Sequence, residues 1–534
     1  MICPGLFVLA ALALFAPMPA QSFPGSAYPD TQEILATSGD GFIEEINGLP
    51  VLHVKGSPRE MGRQYGILAG DRVERAVDML EAIVERDRGL KGLPMWLVRS
   101  LRKITGFVFW FTFPDEVRQE IEGMVEGARE RGHRFTRFDV AFINSVIDVV
   151  GVLKPAFSKR TTTSPERADN WIISRLGLSW LNQNCDSMAV WGRRTADGKT
   201  FQTRNVDIDT GMGLEELPLV VVYKPDGRIP YVTAGFSGFV GIFTGMNAYG
   251  VGLGQVWGFS RETQLATPWA MQIKDVFSRS RSASDAVELL RAKNGWTYGS
   301  NFIFADGDGH GFAVELNARR FVAFTDNDPS EDRALWRGQP YAVKMPDAVF
   351  RGDAALDPVL RSLQDASAGP DGDPRATFSY RSRYQGQADR IAAFERAGVP
   401  IGKEEAESIS RDTASRTGSL QAAVYANTDR QLWVSYSRFL ADGSLQQAWQ
   451  GEYHHIPFAD YLPSIVEGSA HLLEIRGDEY APSGAAPIDA LDLELLIVRE
   501  GIETAYARGS GIQKGDQAIL RHRSNGFVVD VKSF

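Results

Sequence analysis

Cysteine is nearly absent from this chain: Cys3 and Cys185 are the two in 534 residues. A disulfide framework is therefore excluded, and at this length a hydrophobic core of full size forms without one. Excess positive charge is also missing. Lys and Arg number 57 against 67 Asp and Glu, for a net charge of −10 and a pI near 5.4. Such a surface has no electrostatic footprint for nucleic acid, and its mild acidity names no partner. Beyond the first residues no run reaches the roughly 18 apolar positions of a membrane helix. Internal repeats and low-complexity tracts are absent as well. What is present, 43% hydrophobic and 23% charged residues, is ordinary for a globular protein.

The first residues read "MICPGLFVLAALALFAPMPAQSFPG". Leu6 to Phe15 form an apolar stretch too short for a stable anchor, and Met18-Pro19-Ala20 offers a small residue before a cut at Gln21. No Lys or Arg precedes the apolar stretch. Residues 1–20 are expected to be a signal peptide, and the protein to be exported to a periplasm or secreted. Cys3 leaves with that peptide, so Cys185 remains as a lone thiol, either reactive or a small buried hydrophobe.

From residue 21 to 184 the pattern is mostly helical. A strand over Leu49–Val54 is followed by a helix with Ser57 as cap, Pro58 at its first position and Glu60 closing a capping box. A second helix fits "PDEVRQEIEGMVEGARERG", and a third opens at Thr136 and runs toward Val150. Residues 154–170 read as a polar linker. After Cys185 the texture becomes hairpins, with turns at Asp197-Gly198, at Pro225-Asp226-Gly227 and around Asn247 to Gly250. Helices over Trp269–Arg279 and from Ser282 or Ser284 through Arg291 follow. A further strand pair sets Phe302 and Phe304 against Phe312, Val314 and Leu316. Residues 327–375 read as an irregular crossing. Two helices near 382–398 and 403–416 and a hairpin turning at Asn427 to Asp429 complete a catalytic region over 185–465. Residues 466–534 form an extension of unassigned role, with a helix expected from Ile488 to Arg508. Antiparallel strand runs beside segregated helices indicate an α+β layered fold rather than βαβ winding.

The hairpin at Cys185 carries the chemistry. A turn centred on Asp197-Gly198 sets Met188 opposite Asp207 and Trp191 opposite Arg204, which leaves Asp207 about 10 Å along the strand from Cys185 at ~3.3 Å per residue. A nearby cation favours the nucleophilic thiolate. The same spacing also fits an ordinary Arg–Asp pair at a sheet edge. No small-residue sequence of the papain type surrounds Cys185, and His310, in the turn "DGDGHG", reads as solvated. That turn lacks the spaced ligands of a calcium loop. Without a histidine, the base can be a free α-amine, whose ordinary pKa is about 7.7–8.0. This requires Cys185 to become a first residue by cleavage of the Asn184–Cys185 bond. Phe236, Phe239, Phe243 and Trp257 fit either an acyl pocket or sheet core.

"CDSMAVWGRRTADGKTFQTRNVD" resembles the start of the mature chain in N-terminal-nucleophile hydrolases. The closest branch is the autoproteolytic acyltransferases typified by the enzyme acting on 6-aminopenicillanate, with choloylglycine hydrolases more distant. "TGMNAYGVGL", "SNFIFADGDGHGFAVEL", "FTDNDP" and the upstream "VKGSPREMGRQYGILAG" extend the resemblance over about residues 50 to 460. It implies a four-layer αββα sandwich preceded by a helical pro-segment, self-cleavage before Cys185, and thiolate attack on a linear amide or related acyl bond. Arg204 and Asp207 would orient the new amine and the substrate, and Asn327 would help hold the oxyanion. Gln255, Asn247 and Arg383 are further oxyanion or substrate candidates. No metal or organic cofactor is implied. The partners are a small N-acyl or acyl substrate and the chain's own two halves. Hydrolysis is favoured over acyl transfer; the alternatives are a phospholipase-B-like lipid deacylase and a non-catalytic secreted binding protein.

Overall fold

The computed structural model describes residues 32–86, 94–157, 185–364 and 373–462, apart from positions 209, 212, 259, 294 and 378, together with strands between 473 and 533. The signal peptide, Asn184 and most of the expected linker lie outside the described residues; Lys154 to Phe157 are helical. The chain divides into two units, one of Met1–Pro225 with Ile229–Ala459 and one of Asp226–Arg228 with Asp460–Phe534.

The first unit opens with a meander: β1 (Gln32–Ser38), β2 (Gly41–Ile46) and β3 (Leu49–Gly56). Helices α1 (Pro58–Arg86), α2 (Met95–Trp110), α3 (Asp115–Glu130), α4 (Arg137–Ile143) and α5 (Val146–Phe157) follow. Helices α1 and α3 lie unusually close because their contact is made of glycine. A Cβ on Gly62 or Gly66 would stand 1.9 or 2.0 Å from the backbone of Glu120 or Met124, and Gly123 and Gly127 face α1 the same way. The expected third helix is two. Thr136 and Asp139 form a reciprocal capping box at its start. It breaks at Asn144, whose side chain leaves the helix to donate to Gly238 O (2.8 Å) and accept from Val240 N (2.9 Å).

Next come β4 (Asp186–Gly192), β5 (Gly198–Asp207), β6 (Pro218–Pro225), β7 (Tyr231–Phe236), β8 (Thr244–Asn247), β9 (Gly252–Trp257), α6 (Trp269–Phe277) and α7 (Ala283–Arg291). Strands β10 (Ser300–Ala305), β11 (Gly311–Leu316) and β12 (Phe321–Phe324) precede a small ribbon, β13 (Leu335–Trp336) with β14 (Gln339–Pro340). After β15 (Ala348–Arg351) come helices α8 (Pro358–Leu363), α9 (Gln385–Ala397) and α10 (Lys403–Thr413), then β16 (Ser419–Ala426) and β17 (Gln431–Tyr436). A second ribbon, β18 (Arg438–Phe439) with β19 (Leu445–Gln446), leads to β20 (His454–Ile456).

Among the described residues the strands form two large sheets, ordered β1-β2-β3-β6-β7-β8-β9-β10-β11-β12 and β15-β4-β5-β16-β17-β20. The sheets face each other between helical layers, giving αββα. Alternation along β4 shows why. Ala189 and Trp191 pack on Ile303, Ala305 and Ala313 of the first sheet, while Met188 and Val190 join Ala388, Ile391, Ala406 and Ile409 of α9 and α10. Glycine sets the sheet separation at one point: a Cβ on Gly254 would lie 1.8 Å from Ser187 Oγ.

Two features differ from the sequence reading. The segment before Cys185 supplies three strands to the first sheet, and β3 joins β6 in parallel, the exception in an otherwise antiparallel sheet. Hydrogen bonding to β6 satisfies this strand's backbone, which local patterning does not reveal. In addition, β15 emerges from the stretch read as irregular and pairs with β4.

In the second unit, β21 (Leu473–Arg476) pairs with β22 (Glu479–Pro482), and four strands take the order β24-β23-β25-β26. Strands β23 (Leu493–Arg499) and β24 (Ile502–Ala505) replace the helix expected from Ile488 to Arg508. "LELLIVR" is apolar and includes the β-branched pair Ile497-Val498, a pattern that pairs better than it coils. Strands β25 (Gln517–His522) and β26 (Val528–Ser533) complete it.

Candidate active site

Cys185 is fully buried and directly precedes β4. The hairpin behind it has a different register from the expected one. Asp186 pairs with Asn205, Ser187 with Arg204 and Met188 with Thr203. The cause is the connection. Pairing stops at Gly192 with Gly198; Trp191 N–H donates to Asp347 O (3.1 Å) and Thr195 bridges to Ile401, so the turn is broad. The shift slides β5 along β4 and brings Arg204 to Asp207 level with Cys185.

Alternation then divides the charged residues between two faces. Cys185 is in phase with Ser187, Ala189 and Trp191, toward the first sheet, and Arg204 shares this face because it pairs with Ser187. Arg204 donates to Asn205 O and, at 3.2 Å, to Gln255 Oε1 on β9. Gln255 in turn donates to Ser300 Oγ (3.3 Å). Burial pushes the Cys185 thiol above its usual range, while Arg204, by charge and hydrogen bond, pulls it back. Tyr298 lies near the thiol, its phenol pushed well above the ordinary range by burial.

The opposite face holds Asp186, Asn205 and Asp207, gathered around Arg383. Arg383 Nη2 donates to Asp207 Oδ2 (2.8 Å), and its Nε lies 3.7 Å from Asp186 Oδ2. Ser415 N–H also donates to Asp207 (2.9 Å). Asp186 accepts from Asn205, Gln387 and Thr413 at 3.1, 2.7 and 3.1 Å. Burial raises both carboxyls, Asp207 to about 7, and Arg383 opposes the rise in each. The guanidinium partner of Asp207 is therefore Arg383, carried by the π-helical turn Ser379–Tyr384, rather than Arg204.

One group was not singled out in the sequence. The Cys185 N–H donates to Asp353 Oδ1 at 3.1 Å. Asp353 follows β15, whose pairing of Arg351 with Ser187 aligns the next positions with Cys185. Its segment is pinned by Ser379 Oγ accepting from Asp353 N (3.1 Å) and by Asn301 Nδ2 donating to Gly352 O (2.9 Å). A short β-branched or aromatic run, "AVFR", was the available signal.

The other candidates sit as follows. Asn247 is buried in the β8–β9 turn, donating to Phe277 O and Ser280 O and accepting from Tyr249 and Val251 N–H. Asn327 is exposed in the turn after β12, with a left-handed φ of 48° and its N–H on Met345 O (3.1 Å), whereas the Cys185 cluster is buried. Phe236, Phe243 and Trp257 are buried, and Phe239 bridges Phe236 and Phe243 edge-on.

The segment upstream of Cys185 walls this region. Asp148 of α5 accepts from the Thr297 hydroxyl and from Trp269 N–H (3.4 Å), and Trp269 donates to Tyr298 (2.8 Å). Burial raises the Asp148 carboxyl to about 7. Lys274 of α6 pairs with Glu120 of α3 at 2.5 Å, both buried.

No family model matches the chain. A protein of Archaeoglobus fulgidus, described as uncharacterized, is 26% identical over 298 residues, 53% of this chain and 46% of the relative. The chain thus spans about half the length of the curated relative it matches. Among solved structures, the N-acylethanolamine-hydrolyzing acid amidase ortholog of Caenorhabditis elegans aligns at 13% identity and TM-score 0.31, over 46% of this chain and 93% of that one. Penicillin V acylase from Agrobacterium tumefaciens aligns at 12% and 0.32, over 50% and 99%. A variant of the conjugated bile acid hydrolase from Clostridium perfringens aligns at 15% and 0.33, over 47% and 89%.

Proposed function

We propose that this protein is an exported cysteine N-terminal-nucleophile hydrolase that frees its own Cys185 and then cleaves a linear N-acyl amide. The supporting observation is the position of Cys185. It stands at the head of an inner strand of an αββα sandwich, with Arg204 on its own face and its backbone nitrogen held by a carboxylate.

Cleavage of the bond before Cys185 would create an α-amine adjacent to the thiol. His53 pairs with Glu44, His133 with Glu74, His310 with Asp306 and His455 with Gln431, and His454 lies on β20. The amine is then the base best suited to neutral pH. It takes the thiol proton, and the thiolate, favoured by Arg204, adds to the substrate carbonyl. Collapse passes the proton to the departing amine and leaves a thioester. The neutral α-amine next activates water, which adds to the thioester, releases the acid and restores the thiol. Gln255, hydrogen-bonded to Arg204, is our candidate amide side chain for the oxyanion, a role worth about 3–4 kcal/mol per well-placed donor. In an aqueous compartment water is the abundant acyl acceptor, so hydrolysis is favoured over transfer.

A fluorogenic N-acyl arylamide series tests the reading. Wild type should release arylamine and the Cys185→Ala variant should not. Equal release by the two proteins would refute it.

A further inference from the structure

We infer that Asp353 is the seat of the α-amine released before Cys185. The inference rests on the proposed self-cleavage.

Charged groups reach this point from several elements. Among the described residues, Arg204 shares the thiol's face of β5, Asp186 and Asp207 lie on the opposite face around Arg383, and Asp353 follows β15. Asp353 and Asp207 both act on the thiol and on Arg383. Tyr298 stands before β10, and neighbouring Arg351 is held by Glu315 (2.8 Å) and Glu331 (2.7 Å).

The place of the amine is already marked. Asp353 Oδ1 accepts from the Cys185 nitrogen at 3.1 Å, the atom that becomes an ammonium once the bond before it is cut. Cleavage would convert this amide-to-carboxylate hydrogen bond into an ammonium–carboxylate ion pair. Asp353 would fix the amine beside the thiol and raise its proton affinity, so that it takes the thiol proton more readily.

The Asp353→Asn variant keeps a side-chain oxygen for the nitrogen and removes the charge. Iodoacetamide alkylation of Cys185 across pH reads the coupled thiol and amine without any substrate, on protein whose cut state is read by intact mass. The midpoint of alkylation should fall by about one pH unit in the variant, roughly tenfold faster reaction at a fixed pH on the acid side. A second measurement uses wild type alone: ¹⁵N-cysteine labelling and an NMR titration should give an α-amine pKa above the ordinary range of about 7.7–8.0. Cut protein with an unmoved alkylation midpoint, or an amine at or below that range, overturns the role of Asp353 and leaves the nucleophile standing. Wild type that stays uncut overturns both.

Discussion

Arg383 joins two buried carboxylates, and replacing it with methionine should expose how much of the fold depends on that junction. Its side chain is about 1% exposed, and those of Asp207 and Asp186 are 2% and 0%. Removing one partner of such a pair costs about 3–5 kcal/mol, because the remaining charge is left in low dielectric. Asp186 keeps Asn205, Gln387 and Thr413, so most of the loss should come from Asp207, whose remaining donor is the Ser415 N–H. The pH dependence has a definite sign. Burial already raises Asp207 to about 7 and Arg383 opposes that rise, so without Arg383 the folded state holds this proton still more tightly. A carboxyl that binds its proton better folded than unfolded stabilises the fold at low pH and loses that contribution as pH rises above its unfolded pKa of about 3.9. Wild type and variant diverge only above about pH 7, where wild-type Asp207 ionises, so the Arg383→Met penalty should be small near pH 5 and grow above pH 7 by about 1.4 kcal/mol per pH unit. Urea unfolding followed by tryptophan fluorescence measures it, and Arg383→Met/Asp207→Asn should recover most of the loss at pH 8. A penalty below about 1 kcal/mol at pH 8, or one that grows as pH falls, would refute the account.

The remaining expectations are simpler. Gly254→Ala places a methyl 1.8 Å from Ser187 Oγ, so the sheets must part locally; a loss of about 1–3 kcal/mol in urea unfolding is expected. Lys274→Met leaves Glu120 buried without its cation and should cost about 3–5 kcal/mol, with a rescue by Glu120→Gln in the double variant. Because strand β3 pairs with β6 and Glu120 pairs with Lys274, the two chains produced by cleavage should co-elute in native gel filtration and separate only in denaturant.

Most of the layered fold was visible in local patterning. The turns at Asp226-Gly227 and near Asn247, the helix capped by Ser282, and the facing of Phe302 and Phe304 with Val314 and Phe312 all follow from period and turn chemistry. Long-range features were less legible. The β4–β5 register depends on Trp191 bonding to Asp347 and on Thr195 meeting Ile401, partners far away in sequence, so a turn assumed at Asp197-Gly198 placed Asp207 too far from Cys185. Arg383 reaches Asp207 through a π-helical turn that carries no periodic signature. Asp353 owes its place to β15, a short edge strand whose pairing with β4 no single stretch of sequence encodes. The Ile488–Arg508 region shows the reverse error: an apolar run was given the wrong period, and its strands pair with one another instead.

The central claim is that Cys185 becomes the first residue of a catalytic chain. Intact-mass analysis of purified wild type and Cys185→Ala tests it most directly. The account requires two chains in wild type, the second beginning at Cys185, and one unbroken chain in the variant. An unbroken wild type that still hydrolyses an N-acyl arylamide would contradict it.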